Sequence, residues 1–370
     1  MKKRVAITLH GIRTRGKWQK DLAPILAMHD VVPYPLDFGR FGALSLLLPY
    51  RRDAKLNWFH SEYQRVQRET GITRPSIIAH SFGSYLTCRL LHIFREFVHF
   101  DKIILAGSIV QNNFDWSEII ANEQAVQVRN EVATRDIWPR VAKTLVSDAG
   151  DSGTKGFAGL SGNGRRCEHT HEIGHSGTHF EAMYHDWAKF ISCTQYLAGA
   201  DMRVISQLLE LAAGRTADNL QVPRNSIRAN ILLPTADDVL KIPEGAHYNM
   251  LHASELDINI PIGRGLSGVA FKERKELAYL EEASHHWGQY ALPRAELAKV
   301  DPALAWVLSF PLADPGNGRV FGVMSVDGLA PSAIVTSPFD SKTEAAILEL
   351  KTRHVPAMAH KLCNLETGGF

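Results

Sequence analysis

A serine in a short segment of small residues is the first candidate for chemistry in this sequence. The segment AHSFG occupies residues 79–83, between an apolar, strand-like run and a helix-like stretch. A serine on a tight strand-to-helix turn holds its hydroxyl clear of the backbone, where the positive end of the helix favours developing negative charge. Such a turn needs small residues two positions before and after the serine; Gly83 fits, and Ala79 replaces the more usual glycine. The pattern predicts Ser81 as a nucleophile, and the alternative is a serine that only caps the helix.

A nucleophilic serine also needs donors for the oxyanion that its attack creates. The backbone N–H of Phe82 follows the nucleophile directly, and the N–H of Ile12 follows the first strand and Gly11, where the backbone can approach the site. Together with Ser81, this arrangement resembles the α/β-hydrolases over about residues 1–198. The resemblance implies a doubly wound, mostly parallel sheet and hydrolysis of an ester, thioester or amide through an acyl-enzyme, without a cofactor or metal.

The α/β-hydrolase resemblance also implies that an acid and then a histidine follow the serine along the chain. Asp136 directly follows a strand-like run and is the predicted acid, although it is equally placed to cap a helix beginning near Pro139. His175 lies in a glycine-rich region before a helix and is the predicted base. The reserves are His169, His171 and His179 for the base, and Asp115, Asp148 and Asp151 for the acid.

Residues 171–175 also match H-E-x-x-H, the zinc-protease pattern, in which a helix brings both histidines to one metal. Gly174 lies inside the pattern and Gly177 follows it, and each glycine costs a helix about 1 kcal/mol relative to alanine. The sequence therefore favours the serine hydrolase. The alternative is a zinc metallopeptidase that uses His171, Glu172 and His175, with His179 and Cys167 as further ligand candidates.

The elements of the first half must place these residues along one sheet. Strand-like runs are predicted at 4–9, 30–36, 75–79, 102–107 and 125–133, helices at 52–69, 84–97 and 179–197, and a loop over 148–170. Strands that alternate with helices indicate an α/β fold with a parallel sheet and helices on both faces. Apolar residues near the presumed cleft are candidates for binding an acyl chain or for the core: Phe38, Phe41, Leu44, Leu46, Leu47, Leu48, Trp58 and Phe59.

The second half has a different pattern of elements. A helix is predicted from 201 to Gly214, strands at 226–233, 237–242, 256–262, 305–312 and 319–327, and a closing helix at 341–364. The sequence PGNG at 315–318 predicts a hairpin, and therefore an antiparallel sheet. A G-x-G-x-x-G match at 263–268 is weak evidence for a dinucleotide site, because that site needs a parallel βαβ unit.

Three segments of the second half resemble a GAF domain, in the order that this family shows. They are PIGRGLSGVAFKERK from Pro261, SFPL from Ser309 and VFGVMSVDG from Val320, all before the closing helix. The resemblance covers about 220–362 and implies an α+β domain with an antiparallel sheet. Such domains bind small ligands, nucleotides among them, or serve as dimerisation modules. We therefore expect domains at 1–198 and 199–370, with the second regulating the first or making a homodimer.

Composition and charge restrict the class of protein. The net charge of +2 on 370 residues gives no argument for binding nucleic acid or an acidic membrane. The first apolar run is too short for a secretory signal, and no run approaches the length of a membrane span. The four cysteines are widely separated, which is typical of free thiols. These features predict a cytoplasmic protein.

The sequence as a whole predicts a serine hydrolase, either an esterase or a lipase or phospholipase, that acts on a small-molecule or lipid ester. The GAF-like domain is expected to regulate it through a small ligand. The alternative from another class is a non-catalytic, ligand-binding signalling protein on a hydrolase scaffold.

Overall fold

A computed structural model gives the fold of this chain as two compact units, Lys2–Ser192 and Cys193–Leu365. The residues that the structure describes are 4–12, 16–39, 48–146, 148–160, 165–174, 181–193, 196–235, 237–279, 292–330 and 341–365. No helix among these residues is both long enough and apolar enough to cross a lipid bilayer.

The described residues of the first unit form a six-stranded sheet in which every pairing is parallel, with the order β2-β1-β3-β4-β5-β6. The strands are β1 Arg4–Leu9, β2 Val31–Leu36, β3 Ser76–His80, β4 Phe100–Ala106, β5 Ala125–Ala133 and β6 Arg166–His171. The helices are α1 Lys17–Met28, α2 Pro49–Thr70, α3 Phe82–Ile93, α4 Trp116–Ala121, α5 Trp138–Leu145, α6 Ser152–Lys155 and α7 Glu181–Ser192.

Two apolar clusters lie against the sheet of the first unit, one on each face. Strands β1, β3 and β4 are buried along their whole length, as expected of strands covered on both sides. One cluster joins the sheet to α2 and α3 through Phe59, Tyr63 and Leu86, and the other joins it to α1 and α7 through Leu22 and Trp187. The predicted α/β class with a parallel sheet and helices on both faces is therefore confirmed.

The sequence prediction missed four elements of the first unit: helices α1, α4 and α6 and strand β6. Strand β6 lies inside the stretch that was predicted to be a loop, because its sequence RCEHTH is polar and only half buried at the sheet edge. Helix α1 was missed as well: it carries Pro24 inside it, and proline normally argues against a helix interior. In contrast, the prediction for β5 matches the observed strand at both ends.

The described residues of the second unit form an antiparallel sheet with the path β10-β8-β7-β13-β12-β11, and β9 pairs with β7. Its strands are β7 Ile227–Pro234, β8 Val239–Lys241, β9 His247–Tyr248, β10 Ile260–Pro261, β11 Leu277–Tyr279, β12 Leu304–Ala313 and β13 Val320–Leu329. Its helices are α8 Gly199–Leu220, α9 Gly265–Glu273, α10 Arg294–Leu297, α11 Ser341–Glu349 and α12 Val355–Cys363, with 3-10 turns at Arg224–Ser226 and Ala253–Asp257 and a π turn at Leu350–His354.

The predicted antiparallel class of the second unit is confirmed, and its hairpin joins β12 to β13 as expected. Helix α9 and strand β11 were not predicted, and two predicted elements differ from the structure. Helix α8 continues through Gly214 to Leu220, because packing of its buried face outweighs the low helix propensity of one glycine. Of the strand predicted at 256–262, the first two residues end the 3-10 turn Ala253–Asp257, and only the short strand β10 is a strand.

Candidate active site

The candidate nucleophile lies where strand β3 meets helix α3. Ser81 has φ 54° and ψ −117°, a left-handed backbone conformation that a residue with a side chain rarely adopts. Its N–H donates to the Ala106 carbonyl of β4 at 2.9 Å, and its carbonyl accepts from the Ser84 N–H at 2.9 Å. These bonds hold the sharp turn, and only 6% of the Ser81 surface is exposed.

Two glycines allow the backbone to close tightly around Ser81. A Cβ on Gly83 would lie 2.6 Å from the Leu9 carbonyl oxygen, so only glycine lets helix α3 start this close to β1. A Cβ on Gly11 would lie 2.7 Å from Ser81 Cβ and 3.2 Å from Ser81 Oγ. The segment that follows β1 therefore passes directly beside the serine, as a segment carrying an oxyanion donor must.

The two predicted oxyanion donors flank this contact. Phe82 is the first residue of α3, where backbone N–H groups point out of the helix rather than into its hydrogen-bond ladder. Ile12 follows Gly11 and packs partly buried against the core. Both N–H groups belong to segments that meet at Ser81, so the structure brings the predicted donors and nucleophile into one neighbourhood.

His10 anchors the segment after β1, a role that the sequence analysis missed. Its Nε2 lies 2.9 Å from Asp37 Oδ1 and its Nδ1 lies 2.8 Å from the Gly11 carbonyl oxygen, while its ring stacks on Phe38 at 4.2 Å. A carbonyl and a carboxylate only accept, so both ring nitrogens of His10 face acceptors. The hydrogen bond from His10 is the main reason that the pKa of Asp37 is lowered.

The predicted acid, Asp136, is buried three residues beyond the end of β5, with 1% of its surface exposed. Its Oδ1 accepts the N–H of Trp138, the first residue of α5, at 2.9 Å, although the N-cap position of that helix is Ile137 and not Asp136. The Thr154 hydroxyl donates to the Asp136 carbonyl at 2.9 Å and fixes the backbone. A carboxylate offers about four acceptor positions, so the bond from Trp138 leaves room for a bond to histidine.

The segments that carry Asp136 and the predicted base leave the sheet side by side. Beyond the ends of β5 and β6, the Thr134 N–H donates to the His171 carbonyl at 3.0 Å, and the Arg135 N–H donates to the Ile173 carbonyl at 3.2 Å. Asp136 follows the last of these donors directly. His175 comes two residues after Ile173 and lies outside the described residues, as does His179.

The buried carboxylate of Glu131 connects strands β5 and β6, from which these two segments continue. Glu131 of β5 accepts from Arg129 Nε at 2.6 Å, from Trp187 Nε1 of α7 at 2.8 Å and from His171 Nε2 of β6 at 2.7 Å. Burial alone would raise the pKa of Glu131, but His171 and Arg129 together lower it. Glu131 therefore ties two strands and a helix together as a charged group.

The zinc-protease alternative depends on a helix that the described residues do not form. His171 ends strand β6, and residues 172–174 are not helical, so the pattern does not place its first half on a helix face. Among the described residues, Glu131, His169 and Asp186 have ligand atoms within 4.8 Å of one another. Arg129 bonds to both of these carboxylates, and its positive charge already occupies the position where a metal ion would compete.

The reserve acids have other partners. Asp115 caps helix α4 by accepting the N–H groups of Ser117 and Glu118. Asp148 accepts from the Tyr85 hydroxyl at 2.6 Å and faces Arg52. Burial would raise the pKa of Asp151, but its contacts with Lys143 and Lys155 lower it.

The candidate acyl-binding residues divide into three groups. Phe38 and Phe59 are buried in the core, and Trp58 packs partly buried against Phe38. Leu48 is exposed. Phe41, Leu44, Leu46 and Leu47 lie outside the described residues.

The G-x-G-x-x-G match of the second unit lies in a turn and the first residues of α9. The preceding strand β10 pairs with β8 in antiparallel fashion. A dinucleotide site needs a parallel βαβ unit, so this segment does not have that architecture.

Comparison with known proteins gives weak structural likenesses only. No family model matches the chain. No curated protein is similar to it in sequence. Among solved structures, it is similar to the GAF domain of a phosphoenolpyruvate-protein phosphotransferase from Acinetobacter, with 18% identity over 44% of this chain and 92% of that one and a TM-score of 0.29. It is also similar to a cold-adapted esterase from an Arctic intertidal metagenomic library, with 11% identity over 50% and 82% of the two chains and a TM-score of 0.34. At such TM-scores these likenesses carry no functional argument.

Proposed function

We propose that this protein is a serine hydrolase that cleaves carboxylic esters, with Ser81 as nucleophile, Asp136 as the acid and His175 as the base. The observation that carries the proposal is the left-handed backbone of Ser81 at the strand-to-helix turn, with Gly11 packed against its side chain. Strained conformations of this kind cost about 1–3 kcal/mol and concentrate at active sites. A serine that only capped the helix would need no such strain.

The reaction proceeds in two balanced steps. Ser81 Oγ attacks the ester carbonyl carbon while His175 takes the hydroxyl proton, and the N–H groups of Phe82 and Ile12 hold the oxyanion. The carbon–oxygen bond to the alcohol then breaks, and the alcohol leaves with the proton from His175. Water attacks the acyl-enzyme in the same way, which releases the carboxylic acid and restores Ser81. Asp136 orients His175 and stabilises its positive charge.

The substrate is a small-molecule or lipid ester. Phe38 and Phe59 belong to the core, so they do not support a wide acyl channel among the described residues. The chain-length preference separates an esterase, with maximal activity on short acyl chains, from a lipase or phospholipase. We propose further that the second unit regulates hydrolysis through a small ligand and that the protein is a cytoplasmic homodimer; sedimentation of the purified protein tests the dimer.

The test is labelling with a fluorophosphonate probe, run beside hydrolysis of p-nitrophenyl esters of graded chain length. We expect Ser81→Ala to lose both labelling and turnover. The matched control is Ser108→Ala, because Ser108 is a buried serine just beyond the neighbouring strand β4, where its Oγ bonds to Ser152 Oγ at 2.9 Å.

Labelling of the wild type and the Ser108→Ala variant, but not of the Ser81→Ala variant, supports the hydrolase. Unlabelled wild-type protein, together with absent turnover of every ester, would contradict it and favour the non-catalytic scaffold.

A further inference from the structure

The second unit contains a cavity of about 80 Å³ on the face of its sheet opposite helices α8 and α12. Alternate residues of a strand share a face, so Arg228, Asn230 and Leu232 of β7 lie along the cavity together. On β13, Ser325 pairs with Asn230 and Asp327 pairs with Arg228, which makes one polar strip across two strands. Apolar side chains, such as Met250, Ile258 and Leu266, form the remaining walls.

The charges at one end of the cavity do not balance. Arg228, with 2% of its side chain exposed, contacts Asp327 Oδ1 at 2.5 Å, Glu255 Oε2 at 2.7 Å and Asp301 Oδ2 at 3.4 Å. Burial alone would lower the pKa of Arg228, but Asp327 and Glu255 raise it. Burial raises the pKa of Asp327, Arg228 opposes this, and the nearby Glu255 and Asp301 raise it further. One cation thus faces three carboxyl groups, and with all of them ionised the formal charge of the cluster is negative.

The uncharged polar groups of the cavity have acceptor capacity left over. Asn230 is 5% exposed, and its Oδ1 has no hydrogen-bond partner among the described residues. The hydroxyls of Ser267, Ser309 and Ser325 lie 3.0–3.1 Å from one another and bond mutually. Each hydroxyl has one proton to donate and two lone pairs, so this ring uses its donors internally and can still accept.

The size of the cavity restricts the ligand as strongly as its charge does. A dry cavity of about 150 Å³ accommodates benzene, so this one accommodates only a few non-hydrogen atoms. A nucleotide exceeds the volume that the described residues give this cavity, and a phosphate would meet the three carboxyl groups.

We propose that this cavity binds a small organic ammonium ion with a short alkyl chain. The ammonium lies beside Asn230 and Ser325 and donates to the amide oxygen and the hydroxyl. Asp327 and Arg228 each lie two residues along their strands, roughly 7 Å away. The carboxyl groups of Asp327, Glu255 and Asp301 outnumber the one guanidinium, so the net attraction favours the ammonium. The alkyl chain packs against the apolar walls. This inference depends on the proposed ligand-binding role of the second unit and names the class of ligand.

The test is calorimetric titration of the full chain with propylammonium, 1-propanol and propionate, three ligands of nearly equal size and different charge. So few atoms limit the affinity to the range of about 0.1–10 mM. We expect propylammonium to bind at least ten times more tightly than either of the other two ligands. We also expect its binding to weaken as acid protonates Asp327, whose charged neighbours are Arg228, Glu255 and Asp301. Equal binding of the three ligands, or preference for propionate or propanol, overturns the proposal, as does absence of binding.

Two variants locate the site. Asn230→Leu removes the free acceptor at similar volume and should weaken propylammonium binding at least tenfold. Asn225→Leu, at an exposed position two residues before β7, is the matched control and should bind like the wild type. Unchanged binding by a folded Asn230→Leu variant also overturns the proposal. Fluorophosphonate labelling of Ser81 needs no amine, so failure of this inference and failure of the proposed hydrolase are distinguished by separate measurements.

Discussion

At the scale of single residues, the candidate site depends on contacts between positions that are far apart in sequence. Ser81 was predicted from its neighbours in the chain, because the tight turn needs small residues within two positions of it. The His10–Asp37 contact joins residues 27 positions apart, and Arg228 finds Asp327 across two strands. Such pairs leave no local pattern, which is why the sequence indicated the nucleophile but neither of these contacts.

Substitution of Gly11 tests whether the segment that carries Ile12 supplies an oxyanion donor. A methyl group there would lie 2.7 Å from Ser81 Cβ, so Gly11→Ala must push the segment with Ile12 away from the serine. Loss of one oxyanion donor typically lowers kcat by about 10²–10³, and we expect kcat/KM for p-nitrophenyl esters to fall by this factor.

Gly214→Ala is the matched control for Gly11→Ala. The added methyl in helix α8 meets its nearest neighbour, Arg224, at 3.9 Å, an ordinary contact. This substitution should leave kcat/KM unchanged and stabilise the helix by about 0.5–1 kcal/mol. Full activity of the Gly11→Ala variant would show that the segment after β1 supplies no donor to the oxyanion.

Substitution of Asp37 tests whether its contact with His10 anchors the segment after β1, through the pH dependence of the free energy of unfolding. Its folded pKa is lowered, first by the hydrogen bond from His10. Its contribution to stability is therefore complete above the pKa of an unfolded aspartate and is lost as the pH falls through the lower folded pKa. The Asp37 side chain is 71% exposed, so Asp37→Asn should cost less than about 1 kcal/mol near neutral pH.

The free energy of unfolding, measured by urea titration at several pH values, checks this. We expect the difference between wild type and the Asp37→Asn variant to shrink towards zero in acid. A difference that stays constant with pH would show that the charge of Asp37 contributes nothing.

At the scale of elements, burial decided which predictions succeeded. Strand β5 is apolar enough to predict at both ends, whereas β6 is a polar edge strand that only its pairing with β5 defines. This missed strand matters for the proposed function, because the proposed base His175 follows it in the chain. The base could be chosen among several histidines only by its place before a helix, since sequence alone does not indicate which segments pair beyond a sheet.

Glu131 is the residue that should hold β5, β6 and α7 together. Glu131→Ala removes the buried carboxylate partner of Arg129 and leaves it with the half-exposed Asp186, and breaking such a buried pair costs about 3–5 kcal/mol. The control is Glu118→Ala, whose partner Arg95 lies 3.5 Å away with both side chains about half exposed, and which should cost less than about 1 kcal/mol. Urea unfolding of the two variants measures the difference, and similar small losses would rule out this role for Glu131.

At the scale of the whole molecule, the sequence distinguished a parallel sheet from an antiparallel one because the two need different connections. Parallel strands need long crossovers, which appear as helices between strands, and antiparallel strands allow short turns such as the one at 315–318. Each unit has its own buried clusters, as the described residues show. The local patterns could not indicate the small polar cavity, which depends on how three strands and their covering segments meet.

The candidate catalytic residues all belong to the first unit, so we expect residues 1–192 expressed alone to fold and to react with a fluorophosphonate at Ser81. Circular dichroism and labelling of the purified fragment check both parts. A folded fragment that does not react, beside a full chain that does, would mean that the second unit is required for a competent site.

The strained backbone of Ser81 also affects how the stability of this protein can change through engineering or evolution. Glycine adopts positive φ at little cost, so Ser81→Gly should relax the turn and raise the free energy of unfolding by about 1 kcal/mol out of the strain of about 1–3 kcal/mol. The same substitution removes the hydroxyl. For the proposed hydrolase, selection for thermal stability alone would therefore favour an inert protein, and a serine at this position is a trade-off between durability and reactivity.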